Sequence, residues 1–231
     1  MIELFGTNYY FSGIGRLGYI ALYIPAVIIA AIFIQITFAK ILPKAIQHTF
    51  FWVMLVIAIT FPLWDVYRIS HEAKRLCEGE GGLHIYKTVE EVEGFLGDSI
   101  EGWSKYGFKF TEMERKDFND EIIITRYVIK DGEMTWTREN ELLSRYGLFG
   151  PGAKLINNHI EKHRMYAKDI ETGEILGELI YFTIPPAWID ARRLFEYQPV
   201  FCGREPPPDS GRTNLYNSAD VILNTLKPAK K

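Results

Sequence analysis

Two histidines and a glutamate lie close together in the segment HIEKH, which runs from His159 to His163. Histidine nitrogens and carboxylate oxygens bind zinc, so this segment is a candidate metal site. In the helical metalloprotease motif the glutamate directly follows the first histidine, whereas here Glu161 comes two residues after His159. In a strand, the three side chains would be separated by steps of ~6.6 Å, too far to share one small ion. We therefore interpret the segment as a solvated strand face and predict no metal ligands.

Two glycine-rich segments resemble loops that surround a ligand. Residues 79–82 contain three glycines, but the Lys-Ser/Thr pair that completes a phosphate-binding loop is absent and no strand precedes them. They are better interpreted as the end of a helix. Residues 147–152 also contain three glycines and could shape a pocket, although a turn between strands is the favoured interpretation.

The remaining side chains give no catalytic pattern. No serine lies in a nucleophile elbow, and the glutamates at 90, 91 and 93 are sequence neighbours that we expect to be solvated. Nothing in the sequence pairs a carboxylate with a buried environment that would raise its pKa for acid–base work. We therefore predict no catalytic residue and no cofactor.

Composition separates an apolar first third from a polar remainder. The mean hydropathy of -0.04 conceals this contrast, and 231 residues suffice for one membrane anchor and one domain. The formal charge of -3 and the isoelectric point near 6.0 give no excess of basic residues. Nucleic acid is therefore not an expected partner.

Two uncharged apolar segments predict a transmembrane hairpin over residues 1–70, with spans at about 17–39 and 49–67. The first segment has 23 residues, enough to cross a hydrocarbon core of ~30 Å. The second has only 16 uncharged residues, from Thr49 to Trp64, so a buried core helix is the alternative. A cleaved signal peptide is disfavoured, because Arg16 is the only basic residue before the first segment and residues 37–40 are a poor cleavage site. The predicted partner of this region is the lipid bilayer.

The loop between the spans is short, so both termini are expected on the same side of the membrane. Lysines and arginines near the span ends favour a cytoplasmic domain by four to two; they are Arg16, Arg68, Lys74 and Arg75 against Lys40 and Lys44. The two cysteines favour the opposite side of the membrane. Cys77 and Cys202 are the only cysteines and bracket most of the polar part, so they form a candidate disulfide in an oxidising compartment. Two unrelated thiols are equally compatible with this spacing.

The polar part predicts a soluble α+β domain over residues 71–205, mainly an antiparallel sheet with short helices. Residues 121–130 and 133–138 flank Asp-Gly and predict one hairpin. Residues 159–169 and 174–183 predict a second, with Thr172-Gly173 at its turn. Short helices are expected at 98–106 and 188–195. Residues 206–231 read as a polar tail of low order, apart from a turn of helix at 218–226.

The segment CEGEGGLHIYK, from Cys77 to Lys87, carries the pattern Cys-x3-Gly-Gly-x3-Tyr. Together with the hairpin at 170–178 and the late Cys202, it resembles a group of uncharacterised proteobacterial membrane or exported proteins. The resemblance covers about residues 77–202 and carries no established activity. It implies a periplasmic domain with Cys77 joined to Cys202. Together with the two predicted spans, this gives a multi-pass bacterial inner-membrane protein, although the retained hairpin departs from the exported members of the group.

These patterns lead to the hypothesis of a membrane-anchored, non-enzymatic protein that binds another protein or an envelope component. The first rival is an enzyme whose site is assembled across strands from His84, His159, Glu161 and His163. The second rival is an accessory subunit whose hairpin packs against other membrane helices.

Overall fold

The computed structural model describes residues 2–4, 7–9, 18–38, 43–97, 102–130, 132–156, 160–184, 200–206 and 214–229. These residues form two compact units. The first unit comprises described residues of 1–79, 155–161 and 182–202, and the second comprises those of 80–154, 162–181 and 203–231.

Two long helices dominate the first unit. Helix α1 spans Ile24–Phe38 after a π-helical turn at Tyr19–Tyr23, and helix α2 spans Lys44–Gly79. Both are long and apolar enough to cross a membrane, with mean hydropathies of 2.4 over Tyr19–Thr37 and 1.8 in His48–Gly79. At 1.5 Å per residue α2 is ~54 Å long, so it exceeds a hydrocarbon core of ~30 Å. The predicted continuation of the second helix to Cys77 is confirmed.

The prolines of both helices are accommodated by local hydrogen bonds. Pro62 has no amide hydrogen for the carbonyl of Ala58, four residues earlier, and that carbonyl instead accepts the hydroxyl of Tyr23 at 2.9 Å. Before Pro25 the chain widens into the π-helical turn, in which the Ile24 amide bonds to the carbonyl of Tyr19. The hydroxyl of Tyr23 therefore holds the π-helical turn against α2 at the point where Pro62 leaves an acceptor open.

Fourteen strands are present among the described residues. They are β1 Ile2–Leu4, β2 Thr7–Tyr9, β3 Gly82–Ile85, β4 Val89–Val92, β5 Gly94–Leu96, β6 Phe110–Lys116, β7 Ile122–Lys130, β8 Glu133–Glu139, β9 Tyr146–Phe149, β10 Ala153–Ile156, β11 Ile160–Asp169, β12 Ile175–Ile184, β13 Val200–Cys202 and β14 Leu226–Pro228. In the first unit, β1 pairs with β2, and the last three residues of β12 pair with β13.

The sheet of the second unit has the order β12-β11-β9-β5-β6-β7-β8, and β3 also pairs with β12. The predicted α+β class is confirmed. Most pairings of this sheet are antiparallel, as predicted, but β5 runs parallel to both β6 and β9, so the sheet is mixed. Strand β5 has only three residues and lacks an alternating pattern, so its pairing was not readable from the sequence.

Both predicted hairpins are present, as β7–β8 and β11–β12. Gly132 and Gly173 adopt φ of +84° and +76° at the two turns, a region that favours glycine. The Asp169 carboxylate supports the second turn by accepting the amides of Glu171 and Thr172. The predicted helix at 98–106 is a 3₁₀ turn at Ser104–Tyr106 in its described part, and residues 188–195 lie outside the described residues.

The C-terminal segment is part of the core of the second unit, in contrast to the expected tail. Helix α3 spans Ser218–Thr225 and begins with a capping box of Asn217 and Asp220. Val221 and Ile222 are fully buried in a cluster with Phe95. The remaining members of this cluster are Val92, Trp103, Phe108, Ala167, Leu176, Leu179 and Leu226.

A glycine in β12 permits the close approach of α3 to the sheet. A Cβ atom at Gly177 would lie 2.6 Å from the Thr225 side chain and 2.9 Å from the His84 carbonyl oxygen. The turn of helix predicted at 218–226 is confirmed as α3. Its burial was not predicted, because polar residues flank its short apolar stripe.

Candidate interaction surface

Strand β8 ends the sheet of the second unit. It pairs with β7 through seven consecutive residues, from Glu133 opposite Lys130 to Glu139 opposite Ile124, without a bulge. The alternating Thr, Trp and β-branched residues of the two strands favour this pairing, and the Asp-Gly turn fixes its register. The hairpin therefore presents a straight strand at the edge of the sheet.

The register shows which backbone groups of β8 face away from β7. In a two-residue hairpin the residues flanking the turn, here Lys130 and Glu133, exchange both of their hydrogen bonds. Successive residues then alternate, so the amides and carbonyls of the even-numbered residues point to the open edge. These residues are Met134, Trp136 and Arg138.

The side chains of β8 are largely exposed to solvent. Trp136 is 65% exposed and Met134 is 39% exposed, while the rest of the strand is exposed except for half-buried Glu139. Natural edge strands are usually protected by a bulge, a proline or inserted lysines. Residues 133–139 contain neither lysine nor proline. No strand of the described residues pairs with this side of β8, so the edge is open to pairing with another strand.

A buried ion pair fixes the hairpin to the sheet. Glu112 on β6 is fully buried, and its carboxylate accepts two bonds from Arg126 on β7, at 2.9 and 2.7 Å. The amides of Leu143 and Ser144 also donate to it, the latter at 2.7 Å. Arg126 reaches the carboxylate of Glu139 at 3.1 Å, so one guanidinium links β6, β7 and the end of β8.

The electrostatics of Glu112 suit a structural role. Burial opposes ionisation of its carboxyl, but hydrogen bonds from Ser144, Arg126 and Leu143 outweigh this effect and lower the pKa below its ordinary value. A general acid at neutral pH needs a raised pKa. Glu112 therefore remains a carboxylate and positions the strands.

A second buried carboxylate, Glu178 on β12, contacts Arg164 on β11 and Tyr86, which directly follows β3. The Tyr86 hydroxyl donates to one oxygen of Glu178, and Arg164 Nε donates to the other. The hydrogen bond to Glu178 raises the pKa of Tyr86. Burial of Glu178 is outweighed by the bonds from Tyr86 and Arg164, which lower its pKa. Tyr86 thus stays protonated and Glu178 stays ionised. Glu178 therefore forms an ion pair with Arg164 on the neighbouring strand and accepts a hydrogen bond from Tyr86.

The predicted histidine cluster is only partly described, because His159 lies outside the described residues. His163 stacks on Tyr181, with ring centroids 4.6 Å apart and planes inclined by 3°. His84 lies opposite Glu178 on the neighbouring strand. Tyr181 and Glu178 are three residues apart on β12, so their side chains face opposite sides of the sheet. His84 and His163 consequently do not meet, and the described residues contain no group of three metal ligands.

The glycine-rich segments have two different roles. Helix α2 ends at Gly79, and Gly82 starts β3 with a φ of +126°. Gly150, in the turn after β9, lines a cavity of about 390 Å³ in the second unit. Its other lining residues are Leu96, Gly97, Met113, Glu114, Leu148, Phe149, Met165 and Ser218. Residues 147–152 therefore include the predicted turn between strands, and Gly150 in that turn also lines a pocket, which was the alternative interpretation.

The two cysteines come together in the first unit although 125 residues separate them in sequence. Their Cα atoms are 5.8 Å apart, which is a usual distance for a disulfide. Cys77 lies near the end of α2 and Cys202 ends β13.

Comparison of the chain with protein-family models, with curated protein sequences and with solved structures gives no match. The functional interpretation therefore depends on the geometry of this chain. The sequence predicted the β7–β8 hairpin but did not show which of its strands ends the sheet. It also gave no indication that Glu112 and Glu178 are buried, because carboxylates are seldom buried unless they are paired, and the partners of both are distant in the sequence.

Proposed function

We propose that this protein is a membrane-anchored, non-enzymatic interaction module that binds a protein partner by strand addition along β8. The open edge of β8 is the observation that carries this proposal. Outward backbone groups supply affinity in this mode of recognition, and alternate side chains supply specificity. Here the backbone groups of Met134, Trp136 and Arg138 would bind the partner strand, with Trp136 as the apolar anchor.

The anchor is the helical hairpin of α1 and α2, for which we propose a transmembrane arrangement. Its support is the exposure of large apolar side chains on both helices, including Ile29, Phe33, Ile36 and Trp52 at 60% or more. Contiguous apolar surface of this kind is rare on soluble proteins. Hydroxyl groups return to helix carbonyls, as in Thr60 to Val56 at 2.8 Å, which is the arrangement that hydrocarbon demands.

We further propose that the protein lies in a bacterial inner membrane with its domain in the periplasm, as in the proteobacterial group that it resembles. The 5.8 Å separation of the Cys77 and Cys202 Cα atoms supports a disulfide, which persists in an oxidising compartment. Labelling with a membrane-impermeant thiol reagent in cells with a permeabilised outer membrane tests this placement. Labelling only after reduction would support it, and free thiols protected until inner-membrane lysis would contradict it.

The edge itself can be tested by site-specific photo-crosslinking in intact membranes. A benzophenone amino acid replaces Arg138 on β8 or, as a control, exposed Phe118 in the turn after β6. We expect a discrete adduct from position 138 and none from position 118. Equal adducts at both positions, or none at either, would contradict the proposal.

A matched pair of variants then tests the side-chain anchor. Trp136 and Leu143 are 65% and 62% exposed, but only Trp136 lies on β8. Trp136→Lys should abolish the adduct, because a lysine protects an edge strand from pairing. Leu143→Lys should leave the adduct unchanged.

A further inference from the structure

We infer that the strand added to β8 is β8 of a second copy of this chain, paired antiparallel about a two-fold axis at Thr137. This inference rests on the proposed function, since it names the partner at the same edge. Two identical surfaces related by a two-fold axis form a closed dimer, the commonest assembly of soluble oligomers. The pattern of charges along β8 selects the register.

Backbone geometry limits the registers to a few. The outward groups of Met134, Trp136 and Arg138 must face the same set in the second copy, so even-numbered residues pair with even-numbered residues. Registers centred on Thr135, Trp136 or Thr137 satisfy this condition and keep at least five residues of each strand opposite the other.

The register centred on Trp136 is disfavoured by its side-chain pairs. It gives the longest overlap, but it places Glu133 opposite Glu139 of the second copy at both ends of the ladder. Like charges directly opposite each other destabilise a sheet. Arg126 lies 3.1 Å from the Glu139 carboxylate in every register, so this repulsion is small. The contact made by Arg138 therefore decides between the registers, and here Arg138 faces Met134.

The register centred on Thr135 leaves the cation of the strand without a facing side chain. It places Arg138 opposite Gly132 of the second copy, where no side chain is available. Arg138 is the only basic residue of β8, and Trp136 is its only aromatic residue. A register that brings these two together gains a cation–π contact.

The register centred on Thr137 provides this contact twice. Arg138 of each copy lies opposite Trp136 of the other, and Thr137 faces Thr137. Glu139 then lies opposite Thr135. Its charge is already compensated by Arg126 at 3.1 Å, and it accepts a hydrogen bond from the Thr137 hydroxyl at 2.7 Å. No like charges face each other within the five paired residues.

Single cysteines measure the register directly. Thr137→Cys and Thr135→Cys are made in the full chain, and native membranes are treated with copper phenanthroline before non-reducing electrophoresis. Facing Cβ atoms at residue 137 would be ~4.5–5.5 Å apart. The two residues at 135 would be offset by four positions, or ~13 Å. The native Cys77 and Cys202 are paired with each other, and the unmodified chain serves as the blank for any dimer that they form.

We expect Thr137→Cys to give a disulfide dimer at a yield at least about five-fold that of Thr135→Cys, because only the former places its sulfurs within bonding distance. Trp136→Lys introduced into Thr137→Cys should remove the dimer, and Leu143→Lys should not. Equal yields at 135 and 137, a higher yield at 135, or no dimer would overturn the inference.

The outcome separates this inference from the proposed function. Suppose that position 138 gives a photo-adduct whose added mass is not that of one further copy, and that Thr137→Cys gives no dimer. This result would overturn the inference that the partner is a second copy, but it would keep the proposal of strand addition. If neither the photo-adduct nor the disulfide dimer forms, and the variants have the thermal midpoint of the unmodified protein, both proposals are overturned.

Discussion

Large apolar side chains are mostly exposed in the helical hairpin and mostly buried in the sheet domain. In the helices, Ile29 and Phe33 are 68% and 71% exposed, whereas Phe95 and Leu179 in the second unit are fully buried. The helices contact each other through few buried side chains, while the second unit has one continuous core. This difference is the one expected if the helices lie in lipid, as we propose, while the sheet supplies its own apolar interior.

The partners of the polar side chains also differ between the helices and the sheet. In the helices, the hydroxyls of Tyr23, Thr37 and Thr60 donate to backbone carbonyls. In the sheet, buried carboxylates are paired with arginines, as in Glu112 with Arg126. A hydroxyl bonded to a helix carbonyl carries no charge into an apolar medium, whereas an ion pair requires several donors to offset its desolvation.

The largest expected effect is the loss of the buried carboxylate of the sheet. Glu112→Ala removes the acceptor of Arg126 and of two backbone amides, so it should lower the free energy of unfolding by about 3–5 kcal/mol. Denaturant titration in detergent, followed by tryptophan fluorescence, measures this change. Glu114→Ala, at an exposed position on the same strand, should change stability by less than about 0.5 kcal/mol. Equal effects of the two variants would contradict the structural role of Glu112.

The second expected effect tests whether lipid is the solvent of the helices. Phe33→Asp introduces a charge on an exposed face of α1 and should disfavour membrane insertion by about 2.5–3.5 kcal/mol. The measurement is the fraction of protein that resists extraction by alkaline carbonate. Phe118→Asp, at the fully exposed tip of the β6–β7 turn, should leave this fraction unchanged. An unchanged fraction in Phe33→Asp would contradict the transmembrane arrangement.

A smaller effect tests the contact between the helices. Tyr23→Phe leaves the Ala58 carbonyl without the hydroxyl that replaces the missing amide of Pro62, and should cost about 1 kcal/mol. Thermal unfolding in detergent measures the loss. Adding Pro62→Ala should restore the stability, because the alanine amide can bond to the same carbonyl. No recovery in the double variant would show that the hydroxyl acts elsewhere.

The smallest expected effect is the pH dependence of the sheet. Glu112 and Glu178 have pKa values below those of the unfolded chain, so their contribution is fully present above roughly pH 4.3 and is lost as the pH falls through the folded values. Thermal midpoints measured from pH 6 to pH 3 should therefore fall. Glu112→Gln should show a shallower fall, and an unchanged slope would assign the acid sensitivity to other groups.

The sequence determined those features that depend on neighbouring residues. The uncharged segments specified two long apolar helices, and Asp-Gly and Thr-Gly specified the two hairpins, because period and turn chemistry are local properties. The approach of Cys77 to Cys202 agrees with the disulfide that the resemblance implied, although spacing alone left it open.

Only the tertiary structure decided the features that join distant residues. It placed β5 parallel to β6 and β9, buried α3 against Gly177, and surrounded Glu112 with donors from β7 and from the loop after β8. It also left β8 at the edge of the sheet. Strand order and burial depend on which segments meet in space, and a local pattern such as EMTWTRE is compatible with either a central or an edge position.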